Sequence, residues 1–235
     1  KHIHFGGVDD DDTKKNESGT WALHTLKDDE TIAKLASGIK RFTLPDEFNS
    51  LKLYQELAKE EAGIAKPFAE QASDQIARTY ENRRQYPTAA EQWRGNIKRF
   101  GPGQNNWRQS QLDQIVANWG QFDGVGTQPA GQGATVGFKF RNGNKVKFDA
   151  RQIKVDLLLE DIKAYLKSDP GNQIDWNKIN IQNIGWRMVH NNEEKYLGEP
   201  SAAWDLDLEP RANHFDRGIT VTTPLQKAGA YMFTA

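Results

Sequence analysis

The stretch Ala134-Thr135-Val136-Gly137-Phe138-Lys139-Phe140-Arg141-Asn142-Gly143-Asn144-Lys145-Val146-Lys147-Phe148 decides how this chain is divided. Val136, Phe138 and Phe140 alternate with polar residues, and Val146 and Phe148 alternate beyond Asn142-Gly143. Period two marks half-buried strands, and an Asn-Gly pair between two such runs predicts a hairpin, because both central residues of that turn take positive φ. A β-rich domain therefore begins at residue 134.

Upstream of this stretch the period is helical. Pro45-Asp46-Glu47 opens a helix whose stripe is Phe48, Leu51, Tyr54 and Leu57. A second begins near Pro67, with Phe68, Ala72, Ile76 and Tyr80; a third follows Pro87, carries Ala89, Ala90, Trp93 and Ile97, and stops at Gly101-Pro102-Gly103. A fourth runs from about Trp107 through Leu112, Ile115 and Val116 to Trp119. Residues 120–133, rich in Gly, Gln and Pro, read as a linker. Residues 1–44 read as a partly flexible lead-in: the first 20 or so hold Gly6-Gly7 and the acidic run Asp9 to Asp12, and a short helix is expected from about Asp28 to Ile39.

Downstream, residues 153–167 return to helical spacing with Leu157, Leu158, Ile162, Tyr165 and Leu166. The rest reads as strands at about 179–189, 202–208, 219–223 and 230–234. The alternation in 204–208 assigns Trp204, Leu206 and Leu208 to a core and Asp205 and Asp207 to water. The expected architecture is α+β and multidomain: a helical-hairpin segment at 45–119, the linker, and a β-sandwich at 134–235 with one inserted helix.

Composition excludes several function classes. The 235 residues carry a formal net charge of −1, so no global field favours a polyanion, and there is no cysteine for disulfides, thiolate ligands or nucleophiles. No apolar run approaches the roughly 20 residues of a membrane span. Both ends look cut from something longer, since residue 1 is Lys and Tyr231-Met232-Phe233-Thr234-Ala235 reads as strand. His2, His4 and Asp9 to Asp12 are metal-ligand types in a flexible segment with no preformed geometry, Asn16-Glu17-Ser18 is only a weak glycosylation pattern, and His24, His190 and His214 are isolated, with no His-Glu-x-x-His spacing. Asp205, Asp207 and Glu209 read as a solvated strand face; no nucleophile elbow or phosphate loop occurs. No catalytic residue, metal or cofactor is assigned, and an enzyme is not expected.

Residues 70–103 resemble one tetratricopeptide unit, a helical hairpin of about 34 residues. Ala77, Tyr80, Tyr86, Ala89, Trp93 and Pro102 stand at that family's spacing, whereas Ser73 and Asn96 depart from it, standing where tryptophan and alanine are usual. A unit of this kind binds extended peptides along a groove, and between residues 78 and 108 seven basic residues (Arg78, Arg83, Arg84, Arg94, Lys98, Arg99 and Arg108) against Glu81 and Glu91 make the sequence locally positive. Plain core packing accounts for its aromatic residues, and nucleic acid is not expected as a partner. Arg83, Arg84 and Arg94 are the candidate partner-binding positions.

Residues 133–235 resemble the macroglobulin-type domain at the start of bacterial alpha-2-macroglobulin-like proteins, particularly the large planctomycete-type versions with tetratricopeptide-like helices upstream. The residues that carry this are 134–143, Ile153-Lys154-Val155-Asp156-Leu157-Leu158, Trp204-Asp205-Leu206-Asp207-Leu208, Thr223-Pro224-Leu225 and Gly229-Ala230-Tyr231. The resemblance implies a periplasmic, secreted or envelope-anchored parent of the protease-trapping inhibitor type. The family's thioester and bait segments do not map onto this chain, so the region is expected to be a non-catalytic scaffold for protein–protein interaction within a larger assembly. The alternative is a peptide-binding adaptor, or a structural component of the cell envelope.

Overall fold

The computed structural model describes residues 22–59, 66–168, 171, 174–181, 184–191 and 193–235; the readings made for residues 1–21 lie outside these. The chain is mixed α+β. Its described residues divide into two compact units, the first formed by those up to 121 with 139–143 and 210–218, the second by those in 122–138, 144–209 and 219–235.

In the first unit, strands β1 (Glu30–Leu35) and β2 (Gly38–Thr43) pair antiparallel from Glu30↔Thr43 to Leu35↔Gly38. The helix expected from about Asp28 is therefore absent. Ile32, Leu35 and Ile39 have helical spacing, but Gly38 adopts φ 109, a value that ends any helix and suits the close of a two-residue turn. Arg41 reaches across the pair to Glu30 at 2.8 Å.

Four helices follow: α1 (Ser50–Leu57), α2 (Lys66–Asn82), α3 (Tyr86–Phe100) and α4 (Trp107–Val116). Asn49 caps α1, accepting from the Lys52 amide at 3.2 Å. Pro87 sits in the first turn of α3, where its missing N–H costs nothing, and Gly101 ends that helix with φ 84 while its N–H still bonds the Ile97 carbonyl. The core between them is Leu51, Ala72, Ile76, Ala77, Tyr80, Tyr86, Ala89, Ala90, Trp93, Leu112 and Ile115, all buried. The alanines let the helix backbones approach closely, and Trp93, wholly buried, fills the remaining space. Helix α1 starts at Ser50, after a short 3₁₀ turn over Asp46–Phe48, and Phe48 is 70% exposed. Helix α4 stops at Val116 because Ala117 is extended (ψ 156), so Trp119 belongs to a strand rather than to the helix.

The remaining strands are β3 (Trp119–Phe122), β4 (Thr135–Arg141), β5 (Lys145–Ile153), β6 (Leu197–Asp207), β7 (Arg217–Thr222) and β8 (Tyr231–Thr234). They form two three-stranded sheets in the orders β3-β4-β7 and β6-β5-β8. The hairpin expected at Asn142-Gly143 does not form: β4 and β5 belong to different sheets. The pair lacks the geometry of that turn, since Asn142 has φ 62 but Gly143 is not at positive φ, whereas both are required. The Asn142 amide instead donates to the carbonyls of Ile115 at 2.8 Å and Ala117 at 3.0 Å, capping the end of α4.

Within the second unit, rings from both sheets meet. Phe138 of β4 lies edge-on to Phe148 of β5 at 5.2 Å, Phe122 is 5.3 Å from Phe138, and Trp204 is 5.3 Å from Phe148. The expected alternation on β6 is observed, with Leu208 buried and Asp205 and Asp207 exposed.

Where one inserted helix was expected between β5 and β6, the described residues form three: α5 (Val155–Lys167), α6 (Trp176–Ile179) and α7 (Ile184–His190). Residues 179–189 are thus not a strand. Arg187 and Met188 are consecutive and both buried, which a helix permits and a one-faced strand does not. Glu193 receives the Arg187 guanidinium at 3.0 and 2.6 Å, and Met188 packs with Leu158, Tyr196 and Leu197.

Candidate functional site

The two positions that depart from the tetratricopeptide pattern are bonded to each other. Ser73 on α2 donates its hydroxyl to Asn96 Oδ1 on α3 at 2.6 Å, and Asn96 Nδ2 donates to Asp74 Oδ1 at 3.0 Å. Gln92 joins them with bonds to Ser73 Oγ and Asn96 Oδ1 at 3.1 and 3.0 Å. Asp74 in turn holds Arg108 of α4 through two bonds, 2.8 Å to Nε and 2.7 Å to Nη2. Arg108 also donates to Glu70 at 2.5 Å and to the Gly101 carbonyl at 3.2 Å. Ser73, Asp74, Asn96 and Arg108 are all buried, so this network replaces apolar packing with mutually satisfied polar groups across three helices. Bonding to Asp74, then to Glu70, pushes the Arg108 pKa above its ordinary value despite burial. The guanidinium stays charged.

The network fixes the wall of a groove. Arg108 lies 4.8 Å from the Trp107 ring, and Trp93 meets that ring edge-on at 5.6 Å. Gly103, at φ 77, has the indole so close that no side chain fits there. Trp107 is therefore held in one orientation. Beside it a cavity of about 450 Å³ runs along α1 and α2, with Tyr54 and Leu57 on one side and Phe68 and Ala72 on the other. Gln71 and Gln75, one helical turn apart on α2, add two amides; Arg78 contributes a cation 5.6 Å from the Trp107 ring centre. Leu57 and Phe68, expected in the buried stripe, are 40% and 55% exposed. Rigid aromatic and aliphatic surface alongside amides suits an extended polypeptide, whose main chain needs both donors and acceptors.

The three candidate arginines are placed separately. Arg83 donates to the carbonyls of Lys27 at 3.0 Å and Glu30 at 3.1 Å, tying the β1–β2 pair to the end of α2. Tyr80 reinforces this tie through its hydroxyl, 3.2 Å from each carboxylate oxygen of Asp28. Arg84, half-buried at φ 57 in the turn between α2 and α3, lies near His24 and, after burial, is the second cause of that imidazole's lowered pKa. Arg94 is exposed on α3 and acts similarly on His214, again after burial. None of the three lines the groove. Arg78 does, and in the sequence it is one of seven basic residues with nothing to single it out, because period alone does not reveal which side of α2 lacks a neighbour.

His214 Nδ1 is 2.8 Å from Asn142 Oδ1; because the Asn142 amide nitrogen already donates to two carbonyls, its oxygen accepts and the imidazole carries its proton on Nδ1. Glu81 accepts from the Trp93 indole at 2.5 Å, and burial, the largest influence, raises its pKa. Burial likewise pushes Tyr86 up to about 12. Asp205 is paired with Lys145 at 2.8 Å on the strand surface. Among the described residues no group of three or more His, Asp or Glu is placed to hold a metal ion, and no helix is long and apolar enough to cross a membrane.

No family model, no curated protein and no solved structure matches this chain at a significant level.

Proposed function

We propose that this chain is a non-catalytic protein-interaction region of a larger alpha-2-macroglobulin-like envelope or secreted protein, in which the helical unit receives an extended polypeptide and the β-rich unit is macroglobulin-like scaffold. The observation that carries the binding role is the groove beside Trp107, where an immobilised indole, exposed Leu57 and Phe68, and the α2 amides of Gln71 and Gln75 are brought together. The parent family rests on the motif order from tetratricopeptide-like helices to the β-rich half. A protease-trapping parent would use this region to hold or dock the trap, not to perform the trapping chemistry.

Photo-cross-linking from position 68 in the natural parent protein tests the binding role. A polypeptide adduct that disappears on Leu57→Asp supports it; absence of any polypeptide adduct at 68, with the labelled chain folded, refutes it. The parentage is tested separately by intact mass and peptide mapping of the natural protein captured through this region. A much longer chain with a cysteine-bearing thioester segment downstream supports the macroglobulin assignment, and a mature product ending near Ala235 removes it.

A further inference from the structure

Phe68, Gln71, Gln75 and Arg78 all line the groove beside Trp107, and their offsets of three, four and three residues along α2 place them on one face of that helix. Arg78 is exposed, and its guanidinium lies 5.6 Å from the centre of the Trp107 ring, a contact that takes none of its five N–H donors. Among the described residues no carboxylate forms an ion pair with it. The acids around it are committed elsewhere. Asp74 is buried and accepts from Asn96 and twice from Arg108, and Glu70 is bonded to the same Arg108. Glu81 is close enough for Arg78 to act on its charge, but its Oε1 accepts from the Trp93 indole at 2.5 Å. Arg78 is thus a cation with free donors at one end of the α2 face, and exposed Phe68 marks the other.

The spacing along this face fits an extended chain. At about 1.5 Å per residue, Gln71 and Gln75 are about 6 Å apart along the helix axis, and Phe68 and Arg78 about 15 Å. Alternate peptide groups of an extended chain repeat at about 6.5 Å, and about 15 Å is four or five of its residues. A segment laid along α2 therefore meets both amides with main-chain groups two residues apart, and reaches from Phe68 to Arg78 within four or five residues.

We infer that the groove selects extended segments of a partner protein that carry one acidic side chain four or five residues from an apolar one, with the carboxylate on Arg78 and the apolar side chain against Phe68. This rests on the polypeptide reading of the groove and specifies its ligand. An acidic side chain fits better than a chain terminus, because capture of a terminal carboxylate uses free main-chain N–H groups, and those of the α2 interior are bonded within the helix. One acid fits better than a run of them, because Glu70 and Asp74 share a single cation and Glu81 stands one turn beyond Arg78. The chain's own run from Asp9 to Asp12 would bring one matched carboxylate and three repelled ones.

The test selects random dodecapeptides displayed on phage against the intact 235-residue chain and measures the recovered peptides by fluorescence anisotropy. Peptides whose binding is lost on Leu57→Asp define the groove set. This set is expected to carry one Asp or Glu four or five positions from an apolar residue, and replacing that acid by its amide weakens binding about tenfold. Arg78→Gln removes the preference for acid over amide, and Arg78→Lys keeps part of it. The preference is a ratio measured within one variant, so the folded fraction cancels. If no recovered peptide depends on Leu57, the polypeptide reading of the groove falls and this inference falls with it. If the groove set exists but acid and amide forms bind within about twofold, or the preference survives Arg78→Gln, the polypeptide reading stands and this inference alone is overturned. It is also overturned if amidation of the peptide C-terminus, rather than of the side chain, is what weakens binding. Displacement of the set by a synthetic peptide of residues 1–20, at concentrations no higher than the selected peptides require, would overturn it in favour of the chain's own acidic run.

Discussion

Replacing Arg108 with methionine keeps much of the side-chain volume but strands the Asp74 carboxylate in the protein interior. Arg108 is 2% exposed and supplies both close cationic bonds that Asp74 makes, leaving that carboxylate only the Asn96 amide once it is gone. Removing one member of a buried pair costs about 3–5 kcal/mol, whereas replacing both members with apolar groups is often nearly neutral. The Glu70 contact adds little, since Glu70 is 40% exposed and such pairs are worth about 0–1 kcal/mol. At about 2–4 °C per kcal/mol for a chain of this size, the single substitution lowers the melting temperature by about 6–20 °C. The double variant Asp74→Leu with Arg108→Met recovers more than half of that loss. Urea titrations followed by circular dichroism at 222 nm, on both single variants and the double, form a double-mutant cycle. A cost under about 1 kcal/mol for Arg108→Met, or a double variant equal to the sum of the singles, would refute the claim that the network is a coupled buried unit.

Three further outcomes follow from the same geometry. Arg83→Ala costs about 1–2 kcal/mol through its two lost carbonyl bonds and speeds amide exchange in β1 and β2, while exposed Arg94→Ala stays within about 0.5 kcal/mol of the native chain; equal effects would remove the distinction between the two. Gly103→Ala costs about 1–3 kcal/mol from its backbone conformation alone, and displacement of Trp107 shifts the tryptophan emission spectrum; an unchanged spectrum and melt would show that the indole is not confined. His214 is held below its ordinary pKa by burial first and then by Arg94 and Arg141, so below about pH 6.5 the unfolded chain binds more protons than the folded one. Stability contributed by neutral His214 is thus present above that pH and falls as the pH drops toward 5; His214→Asn should reduce the drop in urea midpoint between pH 7.5 and 5, and an unchanged drop would assign it to other groups.

The sequence by itself determined the features that depend on local chemistry. Pro87 and Gly101 mark the two ends of α3 because one fixes φ at a helix start and the other tolerates the φ of 84 that follows its end. The period-two run through Trp204, Leu206 and Leu208 set the inward face of β6, and the small residues Ala77 and Ala89 located the close contact of α2 with α3. The tertiary structure decided whatever depended on a distant partner. Asn142-Gly143 has the composition of a hairpin turn, but Asn142 bonds the carbonyls at the end of α4, and β4 and β5 then enter different sheets. Ile32, Leu35 and Ile39 fit a helical stripe, yet the segment folds back at Gly38 and Arg83 binds it from more than fifty residues away. Ser73 and Asn96 each look like an isolated loss of packing in the repeat pattern, and only the crossing of α2 and α3 makes them a hydrogen-bonded pair. Local backbone preference is written in neighbouring residues, whereas the partner of a buried polar group or a strand edge is set by chain crossings that no short window of sequence contains.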